Sequence, residues 1–265
     1  MDSFNTSAAA RIRFVLVGTQ HPGNIGAAAR ALKTMGLAQL VLVQPEKYPH
    51  DEAFRRAAGA DDLLADAIVT DDVAAAVADC QLVLGCTARS RRVQLEEHSP
   101  RQAAARLAQA AGEGTVALLF GRERTGLTNE ELQLCHAAVH IDANPEYSSL
   151  NLAAAVQVLA YETRLALKEA TPVAAAAADE SGEPRVAPAT HAQLEGMFAQ
   201  LAETLDQIDF HKGRAPESAM RKLRRLFLRT DMDEKEVRLL RGILADAQRM
   251  ARLAQDGGVN KIVGS

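Results

Sequence analysis

Three stretches of this 265-residue chain concentrate the side chains able to do chemistry. In "HPGNIGAAARALKTMG" (21–36), Gly23 and Gly26 stand three apart, Asn24 lies between them and Arg30 just beyond. The stretch "LLFGRERTGLTNEEL" (118–132) brings Gly121, Glu123 and Gly126, and "NPEYSSLNLAAAVQVLAYE" (144–162) brings Ser148, Ser149 and Asn151. Glycine lets a ligand or another backbone come close, and a helix start offers N–H donors. Asparagine both donates and accepts hydrogen bonds, and arginine carries a permanent charge in a planar fork. Together these types suit orientation of a polar ligand and stabilisation of negative charge. They do not spell a nucleotide fingerprint. A dinucleotide site needs GxGxxG and an acid about 20 positions on. Here the spacing is GxxG and the next apolar run ends in Gln44-Pro45. The lysine pattern of a phosphate loop is absent too. Taken alone, Gly23 and Gly26 read equally as a tight strand-to-helix turn packed with alanine.

The elements that position these residues are visible as alternating patterns. Apolar runs at 13–18, 39–44, 67–70, 81–86, 116–121 and 137–142 read as strands. Alanine-rich segments at 26–35, 51–58, 72–79, 100–111 and 128–135 read as helices, and 150–170 as a longer one with Leu152, Val156, Leu159 and Tyr161. Strands without polar alternation, separated by helices, indicate an α/β domain with a largely parallel sheet covered on both faces. We place it at residues 1–170. The stretch 171–190 has three prolines and little amphipathic order, and reads as a linker. From 191 to 265 the pattern is wholly helical, a small appendage. Leu194, Phe198, Leu201, Leu205 and Ile208 share one face, followed by Leu223, Leu226 and Phe227, then Val237, Leu240, Leu244 and Ala247.

Composition narrows the class. A hydrophobic content of 48% supports a folded core. No apolar run approaches the roughly 20 residues of a membrane span, and residues 1–10 lack a signal pattern, so a cytoplasmic protein is expected. Cys80, Cys86 and Cys135 form no CxxC pair, which argues for reduced thiols and against a metal site. His136 and His140 would share a helix face but fall in a strand pattern, which removes them as a ligand pair. Each polar stretch has a plain structural reading: Thr128 or Asn129 caps a helix with Glu131 behind it, and Ser149 caps the next. Three such stretches at strand ends of one sheet nonetheless point to a ligand site.

The set Asn24, Gly26 and Arg30, then "FGRERTGL", then "SSLNL", resembles the three motifs of SpoU/TrmH-type RNA ribose 2′-O-methyltransferases, of the SPOUT superfamily. The fuller strings "ALKTMGL", "GRERTGLTNEEL" and "NPEYSSLNLAAAVQVLAYE" resemble its TrmJ branch, which methylates tRNA. The likeness runs closely over 11–168, and more loosely through "MRKLRRLFLR" and "LRGIL" in the tail. It implies a trefoil knot in the C-terminal part of the α/β domain and homodimers whose active sites draw on both subunits. It also implies S-adenosylmethionine as methyl donor, with no metal required. By position the cofactor meets Cys86, Thr87, Ala88, Gly121, Ile141, Ser148, Ser149 and Leu150. Cys86 reads alternatively as a small core residue. The catalytic set becomes Arg30, Asn24, Glu123, Ser149 and Asn151. Arg30 either has a strongly perturbed pKa and acts as base, or stabilises developing charge while phosphate or water takes the proton. Glu123 either holds Arg30 or another arginine, or makes a surface pair with Arg122 or Arg124. The substrate implied is a cytidine or uridine ribose in the anticodon loop, near position 32; a catalytically silent RNA-binding relative is the alternative.

A net charge of −4 hides two basic clusters. Residues 211–229 hold seven Lys/Arg against one Glu, and "ARSRR" spans 88–92. A face of Arg221, Lys222, Arg224, Arg225 and Arg229, with Arg89, Arg91 and Arg92, suits an RNA backbone, or is only solvated surface. With aromatics at 4% and no Trp, recognition is expected to lean on charge and shape.

Overall fold

The computed structural model describes residues 4–88, 95–169, 186–213 and 215–262. They divide into two compact units, Met1–Arg185 and Val186–Ser265. The first runs α1 (Thr6–Ala9), β1 (Ile12–Val17), α2 (Pro22–Met35), β2 (Gln39–Val43), α3 (Asp51–Ala57), α4 (Asp61–Ala65), β3 (Ile68–Thr70) and α5 (Val73–Val77). It continues with β4 (Leu82–Cys86), β5 (Glu97–His98), α6 (Pro100–Ala110), β6 (Val116–Phe120), α7 (Asn129–Gln133), β7 (Ala137–Val139) and α8 (Leu152–Glu169).

The seven strands form one sheet in the order β3-β2-β1-β6-β4-β7-β5, and every pairing is parallel. Helices on both faces account for the near-continuous burial of its central strands, Val116–Phe120 being buried throughout. Phe14, Leu16, Leu42, Leu84, Leu118 and Phe120 turn to the face shared with α2, α3, α4, α6 and α8. Val15, Val17, Val41, Val43, Val83 and Leu119 turn to the other, against α5 and α7. Across the first face the rings of Phe14 and Phe120 stack with centroids 5.9 Å apart.

Three short elements, α1, α4 and β5, have no counterpart in the sequence pattern. With four, five and two residues they are too short to show a period. A larger difference is the start of α2. It begins at Pro22, where proline's fixed φ and missing N–H are harmless in a first helical turn. Gly23 therefore lies within the helix rather than in the turn before it, and Gly26, expected at the helix start, lies in its second turn. A Cβ on Gly26 would stand 1.9 Å from the carbonyl oxygen of Ala53, so this glycine admits the backbone of α3. Gly36 closes the helix in the left-handed region, its N–H reaching the carbonyls of Leu32 and Lys33. Leu152, Val156 and Leu159 of α8 are buried as expected, whereas Tyr161 is exposed.

The second unit contains α9 (His191–Gln207), α10 (Pro216–Leu228) and α11 (Glu234–Ile262) around Leu194, Met197, Phe198, Leu228, Met232 and Val237. Thr190 and Gln193 form a capping box at the start of α9. Of the stretch read as a linker, 171–185 lie outside the described residues. Its end belongs to the second unit: Ala189 is buried and its N–H donates to the Met232 carbonyl at 2.9 Å. Ile208 and Leu226, expected on inner faces, are 48% and 49% exposed. Among the described residues no helix is long and apolar enough to cross a membrane.

Candidate active site

Parallel strands bring all their carboxyl ends to one edge of the sheet, where ligands of such sheets bind. A cavity of about 500 Å³ opens there, walled by Cys86–Ala88 after β4, Phe120–Glu130 after β6, and Ile141 with Ser148, Ser149, Leu150 and Leu152 after β7. The eight residues expected around a cofactor, Cys86, Thr87, Ala88, Gly121, Ile141, Ser148, Ser149 and Leu150, all line it. Thr87 is fixed through its backbone: its N–H donates to the Val139 carbonyl at 2.9 Å, and its carbonyl lies 3.2 Å from Nδ1 of His140. Burial pushes the Cys86 thiol up to about 12, which leaves it a neutral wall group at neutral pH.

The loop after β6 is built tightly. A Cβ on Gly121 would stand 2.1 Å from both the Gly126 carbonyl carbon and the Leu127 nitrogen. Thr128 and Glu131 form the capping box of α7, which settles the choice between Thr128 and Asn129. Glu131 also takes two hydrogen bonds from Arg122, at 2.9 and 3.1 Å.

Glu123 holds none of the arginines expected beside it. Its carboxylate accepts from the backbone N–H of Gln20 at 3.0 Å, from that of His21 at 3.1 Å and from Asn24 Nδ2 at 2.9 Å. It thus supplies negative charge at the start of α2, where the His21 side chain makes no cap, in the sense the helix dipole favours. Burial acts to raise its carboxyl, but these three donors outweigh that and hold it below the ordinary value. From Asn24 the chain of bonds continues: its Oδ1 accepts from Asn151 Nδ2 at 3.0 Å, and Asn151 Oδ1 accepts from the Ala153 N–H at 2.9 Å. Asn151, rather than Ser149, therefore caps α8; Ser149 is exposed at the cavity. The backbone donors that fix Glu123 leave no mark on residue types, so sequence reasoning missed them.

Arg30 stands apart from this cluster. It is exposed on α2, six residues and about 9 Å along the helix axis beyond Asn24. It is not among the residues lining the cavity of its own chain. Conversely, the cavity includes Arg124, Thr125 and Asn129, which were not expected to line it although they lie inside the quoted motif.

Among the basic residues, Arg89, Arg91 and Arg92 lie outside the described residues. Arg221, Lys222 and Arg229 are exposed, and Arg225 is half-buried. Arg224 does not share their face. Its guanidinium pairs with the Glu195 carboxylate and lies over the Phe198 ring, 4.5 Å from the centroid. His136 is a core residue whose Nδ1 accepts from the Val83 N–H at 3.1 Å. Among the described residues no group of three or more His, Cys, Asp or Glu is arranged to hold a metal ion.

Residues 11–161, which carry the parallel sheet and the cavity at its carboxyl edge, match the SpoU rRNA Methylase family. Residues 192–256 match the C-terminal domain of the tRNA methyltransferase TrmJ. The chain is 48% identical over 245 residues to the tRNA (cytidine/uridine/adenosine-2′-O-)-methyltransferase TrmJ of Pseudomonas aeruginosa, covering 91% of this chain and 95% of that one. It is 45% identical to the tRNA (cytidine/uridine-2′-O-)-methyltransferase TrmJ of Yersinia enterocolitica, covering 93% and 95%. The crystal structure of TrmJ from Z. mobilis superposes with a TM-score of 0.75 at 36% identity, covering 89% of this chain and 99% of that one. The chain belongs to the TrmJ family of tRNA (cytidine/uridine-2′-O-)-methyltransferases. It is an enzyme of that class, and the silent RNA-binding alternative is not favoured.

Proposed function

We propose that this enzyme transfers the methyl group of S-adenosylmethionine to the ribose 2′-hydroxyl of a cytidine or uridine in the tRNA anticodon loop, at or near position 32. The observation that carries this reading is the bond chain Glu123–Asn24–Asn151, which ties the three motif stretches together beside one cavity. At about 500 Å³, with Phe120, Leu127 and Leu132 beside Thr87, Ser148 and Ser149, the cavity suits a nucleoside-sized ligand with polar ends. The eight lining residues named above hold the cofactor, which supplies a methyl group already activated on a sulfonium, so the chemistry calls for no metal. Asn24, Glu123, Asn151 and Ser149 keep the α2 and α8 starts in register with the bound ribose. Arg30, an exposed guanidinium, stabilises the charge that develops on the 2′-oxygen, and the proton passes to phosphate or water.

Arg30 lies outside the cavity of its own chain, which supports a homodimer in which one copy's Arg30 serves the other's cavity. We also assign the trefoil knot to the segments that enclose the cavity; β6 returning between β1 and β4 is consistent with it. In this reading residues 1–170 are the catalytic domain, 171–185 a linker and 186–265 a tRNA-binding extension, in a protein that works in the cytoplasm. Arg221, Lys222 and Arg229 contact phosphates, and Arg89, Arg91 and Arg92, which lie outside the described residues, are assigned to the same RNA backbone.

The test is transfer of labelled methyl from S-adenosylmethionine to tRNA, with the modified nucleotide mapped and the mass measured by light scattering. No transfer by the folded protein overturns the reading. Modification outside the anticodon loop overturns the site, and an active monomer overturns the shared cavity. The name of the Pseudomonas relative includes adenosine, so tRNAs with each base at position 32 belong in the assay.

A further inference from the structure

Two arginines and two glutamates line the cavity, and of these one arginine has no partner among the described residues. Of the arginines lining it, Arg122 is neutralised by its two bonds to Glu131, and its Nε lies 2.7 Å from where a Cβ on Gly18 would be. Glu123 is satisfied by three donors of the α2 entry. Glu130 is exposed in the first turn of α7. Arg124 lines the cavity, is exposed, and makes no hydrogen bond or ion pair with any described residue.

Its backbone is nonetheless fixed. The Arg122 N–H donates to the Gly126 carbonyl at 3.2 Å and the Gly126 N–H donates back to the Arg122 carbonyl at 2.8 Å. These two bonds clasp the turn, Gly126 takes a φ of +72°, and Gly121 leaves no space beneath it. Glu123, Arg124 and Thr125 form the tip. An unpaired guanidinium on a clasped turn at a cavity mouth loses only side-chain freedom when it binds, and its planar fork matches a carboxylate or a phosphate.

We propose that Arg124 is the anion-binding group of the cavity, gripping an oxyanion of the bound reactants: the carboxylate at the methionine end of the cofactor, or a phosphodiester beside the target ribose. The proposal rests on the methyltransferase reading above. Arg124→Gln in the full-length chain tests it, since the site is surface-exposed and the clasp is made by backbone. Loss of one charge-assisted contact weakens binding by about tenfold to a hundredfold. If the oxyanion is the cofactor's, the variant's Kd for S-adenosylmethionine rises by that factor, while decarboxylated S-adenosylmethionine binds variant and parent alike. If it is a phosphate, cofactor affinity is unchanged, tRNA affinity falls, and the slope of log K against log salt drops by about 0.7–0.9. A folded variant matching the parent in cofactor affinity, tRNA affinity and salt slope overturns the role of Arg124 and leaves the methyltransferase reading standing. A parent protein that neither binds S-adenosylmethionine nor methylates tRNA overturns that reading itself.

Discussion

Gly26→Ala is expected to destabilise the first unit, although the same change usually strengthens a helix. Two terms oppose each other. Alanine is favoured over glycine in an open helix by up to about 1 kcal/mol. Against that, the new Cβ would lie 1.9 Å from the Ala53 carbonyl oxygen, 2.8 Å from its carbon and 3.0 Å from the Ala57 nitrogen. Close carbon–oxygen contacts begin near about 3.3 Å, so α3 must withdraw by roughly 1.4 Å. The obstacle is backbone, which has no rotamer to swing away. Ala53 and Ala57 are fully buried, and their withdrawal opens the packing that α2 and α3 share. Overpacking of this kind costs about 1–3 kcal/mol, leaving a net loss of up to about 2 kcal/mol after the full helix gain. In a domain of this size that lowers Tm by up to about 8 °C. Gly242→Ala is the control, because α11 leaves nothing within 4 Å of the added carbon. It should stabilise the second unit by up to about 1 kcal/mol. Thermal unfolding followed by calorimetry reads both, and a Gly26→Ala protein melting at or above the parent refutes the close-approach argument.

Three further outcomes follow from the site and the tail. Arg30→Ala should abolish methyl transfer while Tm and cofactor Kd stay near the parent values, and Arg30→Lys should also fail because a point charge does not reproduce the fork; turnover at the parent rate by either variant sinks the assignment. Glu123, held below 4.5 in the fold, stabilises the protein at neutral pH, and that contribution is lost as pH falls through its lowered value. Glu123→Gln should therefore lower stability at pH 7 and flatten the acid limb of a stability–pH curve from urea melts. Replacing Arg221, Lys222 and Arg229 with Ala should weaken tRNA binding and reduce its salt slope by up to about 2–3, whereas Arg224→Ala should instead destabilise the second unit by about 1–3 kcal/mol, as chemical denaturation would show.

The central sheet was legible because strands buried on both faces read as unbroken apolar runs: 116–121 was expected and Val116–Phe120 is found. The start of α2 was not, since GxxG looks the same in a turn and in a helix packed against another backbone. Pro22 was the available signal for the earlier start. The cavity walls could be placed by resemblance of motif strings, but the partners of Glu123 could not, because Gln20 and His21 bind it through main-chain N–H groups that any residue except proline carries. Arg224 was misplaced for a different reason. Counting charges put it on the basic face, yet Met220, Arg224 and Phe227 are four and three residues apart, the spacing of one helix face, and Met220 and Phe227 pack on the core.

Asn24 and Asn151 are joined directly although 127 residues separate them, and Glu123 reaches back 99 residues to Asn24. No early piece of the chain can hold this arrangement. A nascent polypeptide has its strand β1 and helix α2 long before β6, β7 and the cap of α8 exist, so these contacts carry a large loop-closure entropy. A chain that ends before Ser148 lacks part of the cavity wall, so the cavity cannot be complete before the start of α8 has been made.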